Sequence, residues 1–463
     1  MAGKLPYKVG SSHIVRCDRL ADDGLGRADL NGHELRIRFG VPGETARVTL
    51  DHVGHHAVWG SFDSAGAASA DRRQAPCPVV EACGGCPWQH LTPLAQRKHR
   101  LEALHRLLDP VAPDVRWKSW RPAESVDHGY RTRTLMMLRH VRGRLRAGFY
   151  RPRTQDLVGA EDCLVHHPRL QRLVPSIIKR LDASQLPTWR GPKRPGLLRA
   201  MALRVDGAAR GEGKVLLTLV VTRVDERVRR AATRLLELGP VAGVFANIND
   251  RDGGRVLGHK TVHLAGAERQ DYRFGDLTLS LGPTAFVQTH QTAAETMLQE
   301  VVGILAQGES PPSHVADLYG GVGVFGLAIA KAGVTPRVTI VESAPDAVAD
   351  ARHNIAALGM AGVSVLQADA ALGAQQLAEM GDAGPTAAVV DPPRAGMAPG
   401  VLEALAAMPS LRRLVYVSCN PKTLARDLGG LVERGWKTAA LVPVDMFPNT
   451  PHAEVIAVIR RCA

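Results

Sequence analysis

Short apolar–polar alternation dominates the start of the chain. The segments HIVRC (13–17), HELRIRF (33–39) and ARVTL (46–50) repeat with a period of two, separated by Gly, Asn and Pro. That period sends alternate side chains to opposite faces, so strands are expected. DDGLGRADLNGHELRI (22–37) has the composition of a hairpin, and VPGE (41–44) that of a tight turn before the next strand. A small OB-like β-barrel over residues 1–63 accommodates them. The Ala/Ser-rich SAGAASADRRQAP (64–76) reads as a linker, and an Arg-, Leu- and His-rich stretch near 92–109 as a helix. Strand-like alternation returns in RTRTLMMLRHVRGRLRAGFYRP (131–152) and GKVLLTLVVTRV (213–224), which places a central α+β domain over 64–295.

After residue 314 the pattern changes to strand–loop–helix alternation. VADLYGG, RVTIVES, VSVLQAD, AAVVDPP and RLVYVSC are apolar runs ending in polar or Gly/Pro residues, with VFGLAIAKAG and PDAVADARHNIAAL helical between the first three. This order predicts a doubly wound, Rossmann-like α/β domain over 296–463, whose ligands bind outside the carboxyl ends of the strands. Asp317, Glu342, Asp369, Asp391 and Cys419 all fall near such ends. The whole chain is expected to be a multidomain α/β protein.

Charge adds an asymmetry. Residues 1–300 hold 46 Lys and Arg against 31 Asp and Glu, whereas 301–463 hold 12 against 14. The basic surplus therefore lies upstream of the Rossmann-like segment, as expected if one part grips a polyanion and another does chemistry. Aromatics make up only 4% of the chain, which argues against binding dominated by base stacking. MAGKLPYKVG is too polar for a signal peptide, and no apolar run approaches membrane-spanning length. Seven cysteines in 463 residues do not make a disulfide scaffold. A cytoplasmic protein with reduced thiols and no membrane partner is expected, and a monomer, since no interface pattern appears.

Four motifs carry chemistry. Gly321, Gly323 and Gly326 form G-x-G-x-x-G, with Glu342 nineteen residues after Gly323. Such a turn brings backbone close to a ligand and the acid to ribose hydroxyls, which serves a dinucleotide or S-adenosylmethionine alike. Asp391-Pro392-Pro393-Arg394 ends the fourth strand, and its prolines stiffen the loop that aims the carboxylate. Cys419 closes the fifth strand and Glu454 lies in DMFPNTPHAEVIAVI. A thiolate and a carboxylate suit covalent attack on an electrophilic carbon followed by proton abstraction; the competing readings are a small filler and an exposed acid. Lastly, CPVVEACGGCPWQH places Cys77, Cys83 and Cys86 at C-x5-C-x2-C spacing, and Cys163 follows after 76 residues. Three clustered thiols and one remote one suit a [4Fe–4S] cluster better than structural zinc.

These residues together resemble the S-adenosylmethionine-dependent RNA uridine-5-methyltransferases, in the branch with a TRAM domain and an iron–sulfur cluster. CGGCPWQHL, YRTRTLMML, FVQTHQ, DLYGGVGVFGLAIA, DPPRAG, YVSCNPKTLARDL and DMFPNTPHAE carry the resemblance in order. It implies a TRAM-like barrel over 1–63, a central RNA-binding domain with the cluster over 64–295, and a methyltransferase domain over 296–463. It implies Cys419 as nucleophile, Glu454 as base for the C5 proton, and Asp391 at the cofactor or the uracil. Gln288, Tyr319, Gly321, Gly323, Glu342 and Asp369 would line the cofactor site, and Cys77, Cys83, Cys86 and Cys163 would hold the cluster. The implied substrate is structured RNA, 23S rRNA ahead of tRNA. His290, Gly320 and Val324 depart from the family's usual Asn, Cys and Asn; losing the last removes a side-chain hydrogen bond, which either weakens cofactor binding or leaves that role to the backbone. An NAD-dependent oxidoreductase built on GVGVFG is the rival enzyme, and it leaves Cys419, Glu454 and the basic half without a task. A non-catalytic RNA-binding protein leaves the thiol and the acid without one.

Overall fold

The computed structural model describes residues 5–191, 193–207, 213–253, 255–307 and 310–462. The first four residues of MAGKLPYKVG therefore lie outside it. The chain forms two compact units, one of residues 1–110 with 447–453 and one of 111–446 with 454–463.

The first unit is built on six strands, β1 (Ser12–Arg16), β2 (Arg19–Leu20), β3 (Gly26–Leu30), β4 (His33–Arg38), β5 (Thr45–Val53) and β6 (Ala57–Ala65), in the order β1-β5-β6-β4-β3-β2. The β3–β4 hairpin turns on Asn31 and Gly32, both at positive φ (50° and 81°), the backbone a two-residue hairpin turn requires. Inward-facing Val15, Leu35, Ile37, Val48, Leu50 and Val58 close the core, with Cys17 among them. A short helix α1 (Val80–Cys83) and a long helix α2 (Pro93–Leu108), capped by the Thr92 hydroxyl, follow. The stretch 64–76 differs from the expected linker. Arg72 reaches the buried Glu44 carboxylate through Nε (2.7 Å) and Nη2 (2.6 Å), and Arg73 Nε donates to the Gln89 carbonyl (3.0 Å). Composition alone hid these ties, because an Ala/Ser-rich segment with two arginines has the look of solvated chain.

The second unit opens with a two-residue strand, β7 (Arg116–Trp117). Its middle sheet holds β8 (Arg133–Val141), β9 (Arg144–Tyr150), β10 (Leu157–Gly159), β11 (Leu198–Val205), β12 (Val215–Val221), β13 (Val241–Ile248) and β14 (Lys260–Gly266). They pair in the order β10-β9-β8-β11-β12-β13-β14. Two helices that the strand-like alternation did not show, α3 (Pro168–Ala183) and α4 (Glu226–Leu236), pack on this sheet. Pro175 and the arginine-rich solvent faces masked their 3.6-residue period. A hairpin of β15 (Gln270–Phe274) and β16 (Leu277–Leu281) leads to helix α5 (Gln291–Ala306).

The last segment folds as β17 (Val315–Leu318), α6 (Val324–Lys331), β18 (Val338–Glu342), α7 (Pro345–Leu358), β19 (Val363–Gln367), α8 (Ala370–Ala378), β20 (Ala387–Val390), α9 (Val401–Ala407), β21 (Arg413–Ser418), α10 (Pro421–Val432), β22 (Trp436–Val444) and β23 (Glu454–Arg461). The sheet order is β19-β18-β17-β20-β21-β23-β22-β7. The strands β17–β21 are parallel and their order reverses between β17 and β20, the position at which open α/β sheets bind ligands. β23 inserts antiparallel between β21 and β22. Among the described residues no helix is long and apolar enough to cross a membrane.

Candidate active site

The glycine turn follows β17. A Cβ on Gly320 would lie 2.5 Å from Ile340 Cγ2, so no larger residue fits without movement there. Gly321 (φ +56°) faces open space, and its N–H donates to Glu342 Oε2 (2.9 Å) at the end of β18. Gly323 (φ +87°) stands at the N-cap of α6 in the left-handed conformation that glycine adopts without strain. Beneath the turn, Asp317 Oδ2 accepts from Gly326 N (2.8 Å), while its Oδ1 is buried without a partner. Burial lifts this carboxyl to about 7, and the nearby Asp391 and Glu342 push the same way. Tyr319 accepts at its hydroxyl from Ala398 N (3.0 Å), and Asp369 caps α8 by accepting from Ala371 N and Leu372 N. Gln288 is half-buried in the segment before α5.

Sheet register assembles the reactive groups. Ser418 pairs with Val455 in the antiparallel β21–β23 ladder, so one step further sets Cys419 beside Glu454. Val390 pairs with Tyr416 and with Leu318, which brings Asp391 to the same edge next to Tyr319. The loop 391–398 is fastened to the turn that carries the thiol. Asn420 Nδ2 donates to the Arg394 carbonyl (2.8 Å), and the buried Asp427 carboxylate accepts from Met397 N (2.9 Å) and Tyr416 Oη (2.7 Å). Ser418 Oγ donates to the Asn420 carbonyl and accepts from Asn420 N (3.2 Å each), and Asn420 Oδ1 caps α10 with Pro421 in its first turn. Cys419 thus stands at the mouth of a helix whose dipole favours a thiolate.

Burial pushes the Cys419 thiol up to about 11, and the Glu454 and Asp391 carboxylates add to the rise. The Arg394 guanidinium opposes them, both by its charge and by a hydrogen bond to the thiol. Glu454 is 1% exposed and neither carboxylate oxygen has a partner. Its pKa stands well above the ordinary range, raised by burial and then by Asp391, with Arg394 pulling the other way. Asp391 is raised to about 7 by burial. Motif reading left Arg394 without a task, although the DPPR motif contains it. The structure brings Cys419, Glu454, Asp391, Arg394 and the glycine turn to one sheet edge. Orphaned acid oxygens and an open backbone turn suit a ligand that carries positive charge and ribose hydroxyls, as S-adenosylmethionine does.

The cysteine set behaves differently. Cys77, Cys83 and Cys86 belong to the first unit and Cys163 to the second. Cys83 is raised by burial and by the nearby Cys77 thiol. Among the described residues, however, no three His, Cys, Asp or Glu side chains are grouped so as to hold a metal. No chemical step is derived through a cluster on these thiols.

The family described as tRNA (Uracil-5-)-methyltransferase matches residues 94–461. An uncharacterized RNA methyltransferase of Enterococcus faecalis is 31% identical over 462 residues, 98% of each chain. Another, of Parasynechococcus marenigrum, is 33% identical over 452 residues, 95% of this chain and 93% of the relative. In fold, the chain is similar to Pyrococcus abyssi tRNA (uracil-54, C5)-methyltransferase, solved in complex with S-adenosyl-L-homocysteine. That likeness has a TM-score of 0.73 at 24% identity and covers 97% of this chain and all of the other.

Proposed function

The chain belongs to the tRNA (uracil-5-)-methyltransferase family, and from that premise we propose that it methylates C5 of a uridine in structured RNA through a covalent adduct on Cys419. The observation that carries this reading is the register that sets Cys419 beside Glu454, with Asp391 on the next strand and the glycine turn beyond it.

C5 of uracil is a weak nucleophile. Attack of Cys419 Sγ on C6 forms a C–S bond and moves the C5–C6 π pair into an enolate, so that C5 becomes the nucleophile. When bound, S-adenosylmethionine supplies an electrophilic methyl group on a sulfonium centre. Glu454 then takes the C5 proton, C5=C6 re-forms, and the Cys419 thiolate leaves. Arg394 favours the thiolate through its hydrogen bond and charge, and a partnerless buried carboxylate is a stronger base than one in water. Gly321 and Gly323 would admit the cofactor to the backbone, and Glu342 would accept from its ribose. Gln288, Tyr319, Asp369 and Asp391 would complete that wall. The target base must leave its stack to reach Cys419, which favours a loop or junction uridine.

The branch resemblance makes 23S rRNA the proposed substrate, and the family description makes tRNA its rival. It also makes 1–63 a TRAM-like barrel ahead of a central RNA-binding part (64–295) and a methyltransferase part (296–463), in a cytoplasmic monomer. A [4Fe–4S] cluster on Cys77, Cys83, Cys86 and Cys163 rests on the donor set alone; iron and sulfide analysis of anaerobically purified protein tests it, and stoichiometric zinc overturns it. The reaction is tested by incubating the protein with labelled S-adenosylmethionine and RNA from cells lacking it. Digestion and mass spectrometry should find 5-methyluridine in ribosomal RNA; its appearance only in tRNA selects the rival substrate. Calorimetric titration showing NAD bound in preference to S-adenosylmethionine would return the turn to a dehydrogenase.

A further inference from the structure

The seven-stranded sheet has two unlike faces. α3 and α4 cover one of them, packing over Met136, Leu138, Leu217 and Leu219. Alternation along β8 sends Arg139 to the other. There, where β8 ends, two arginines lie against aromatic rings and a third bonds to the end of the strand. Arg139 lies 5.6 Å from the centre of the Tyr150 ring and donates to its hydroxyl. Arg190, exposed on the loop between α3 and β11, donates to the His140 carbonyl. Arg199 sits 3.8 Å above the Trp189 ring, and its Nη1 donates to the Asn249 (2.8 Å) and Arg251 (2.7 Å) carbonyls.

This grouping is costly as it stands. Arg199 is only 4% exposed and its Nε is buried with no acceptor. Arg139 is close enough to repel it, and burial with that repulsion lowers the Arg199 guanidinium despite Asp250 and Asp252 nearby. The ring faces and backbone carbonyls hold the cations in place without neutralising them. A fork of N–H donors in an electropositive setting suits an anion with several oxygens, and a phosphodiester offers two.

We propose that Arg139 and Arg190, with the buried Arg199 cation behind them, form an anchor for the RNA backbone on this sheet, sharing no residue with the edge that carries Cys419. The anchor rests on the reading of the substrate as RNA. It accounts for part of the basic surplus upstream of residue 300, and it makes a phosphate contact that positions the RNA without reading sequence.

The test uses the full chain and unmodified ribosomal and transfer RNA from cells lacking it. The double variant Arg139→Gln/Arg190→Gln should raise KM for RNA about tenfold with a smaller change in kcat, and lower the slope of log Kd against log salt by about two. The control is Arg229→Gln/Arg230→Gln, the same charge change on the solvent face of α4, which should move both less. Thermal unfolding compares the variants' stability; if the double variant does not fold, Arg190→Gln alone should lower the slope by about one. Unchanged KM and slope, or an equal effect in the control, overturns the anchor. If the unaltered protein methylates neither RNA, the proposed function falls and the anchor with it.

Discussion

The two large sheets of the second unit bury charge of opposite sign and treat it in opposite ways. On the seven-stranded sheet, Arg204 is 4% exposed, yet its Nε meets Gln270 Oε1 (3.0 Å) and its two Nη atoms meet the Ala285 and Leu281 carbonyls (both 3.3 Å). On the eight-stranded sheet, Glu454 has no partner at either oxygen and Asp317 none at Oδ1. Buried polar groups are nearly always satisfied, so unsatisfied ones mark places where stability has been given up for another purpose. Arg204 is absorbed by the fold, and Arg199, with its bare Nε, is the exception on that sheet. Acids of the last sheet are held back for something that arrives later.

The sharpest break of this contrast is at the thiol and its base. Cys419→Ala should reduce methyl transfer to background, and Glu454→Gln should lower it by about 10²–10⁴-fold. Glu454→Gln should also leave protein joined to RNA, seen as a slow band on a denaturing gel, because attack at C6 survives while loss of the C5 proton fails. Normal turnover by Glu454→Gln would remove Glu454 from the role of base. Neither change should disturb the middle sheet, so far-ultraviolet circular dichroism should be unaltered.

How much of this edge was legible in the sequence depends on the range of the contact. The strands β17–β21 and their polar ends stand out in the pattern, since each is an apolar run stopped by Gly, Pro or an acid. Chain order alone then lines Asp317, Asp391 and Cys419 along the carboxyl edge. The insertion of β23 between β21 and β22 does not appear in any local pattern, yet it is what carries Glu454 to Cys419. Resemblance named the pair; only the ladder explains their meeting. Arg394 stayed unassigned for the same reason, because its touch on the thiol depends on a loop tied down by Asn420 and Asp427. In the middle region, Trp189 and Arg199 are ten residues apart, and no periodic pattern predicts their stacking.

Next in size is the dependence of stability on pH. Asp317 is lifted to about 7 in the fold against an ordinary unfolded value near 4. A raised carboxyl favours the protonated form, so its contribution is complete below about 4 and is lost as pH rises through about 7. Asp391, also at about 7, acts in the same direction. The unfolding midpoint should drop as pH rises from about 4 to about 7 and level off above, and Asp317→Asn should recover up to about 4 kcal/mol at the higher pH while keeping an acceptor for Gly326 N. An equal slope in the variant would show that the acids of this edge are not what makes it strained.

The middle sheet should answer to a different loss. Arg204→Met keeps the bulk but takes the donor from Gln270 Oε1 and from the Leu281 carbonyl, while the Ala285 carbonyl keeps Arg133 Nη1, and it should cost about 2 kcal/mol of stability in denaturant unfolding. Its effect on kcat should be small. A large fall in kcat with stability intact would mean that buried arginines of this sheet also serve the reaction, and the contrast between the sheets would fail.

The smallest effect separates the sheets at a feature they share. Asp225 caps α4 by accepting from Arg227 N and Val228 N (3.1 Å each), and Asp369 caps α8 from Ala371 N (3.0 Å) and Leu372 N (2.9 Å). Serine is as good a cap as aspartate, so Asp225→Ser and Asp369→Ser should each cost well under about 1 kcal/mol. Only Asp369 stands at the ligand edge of its sheet, with Oδ2 left outside the cap. If that oxygen meets the cofactor, Asp369→Ser should weaken S-adenosylmethionine binding about fivefold to tenfold in calorimetric titration, the worth of one hydrogen bond to a neutral donor. An unchanged Kd would reduce Asp369 to the same capping role as Asp225, because a helix start needs a side-chain oxygen at either sheet whether or not a ligand ever comes near it.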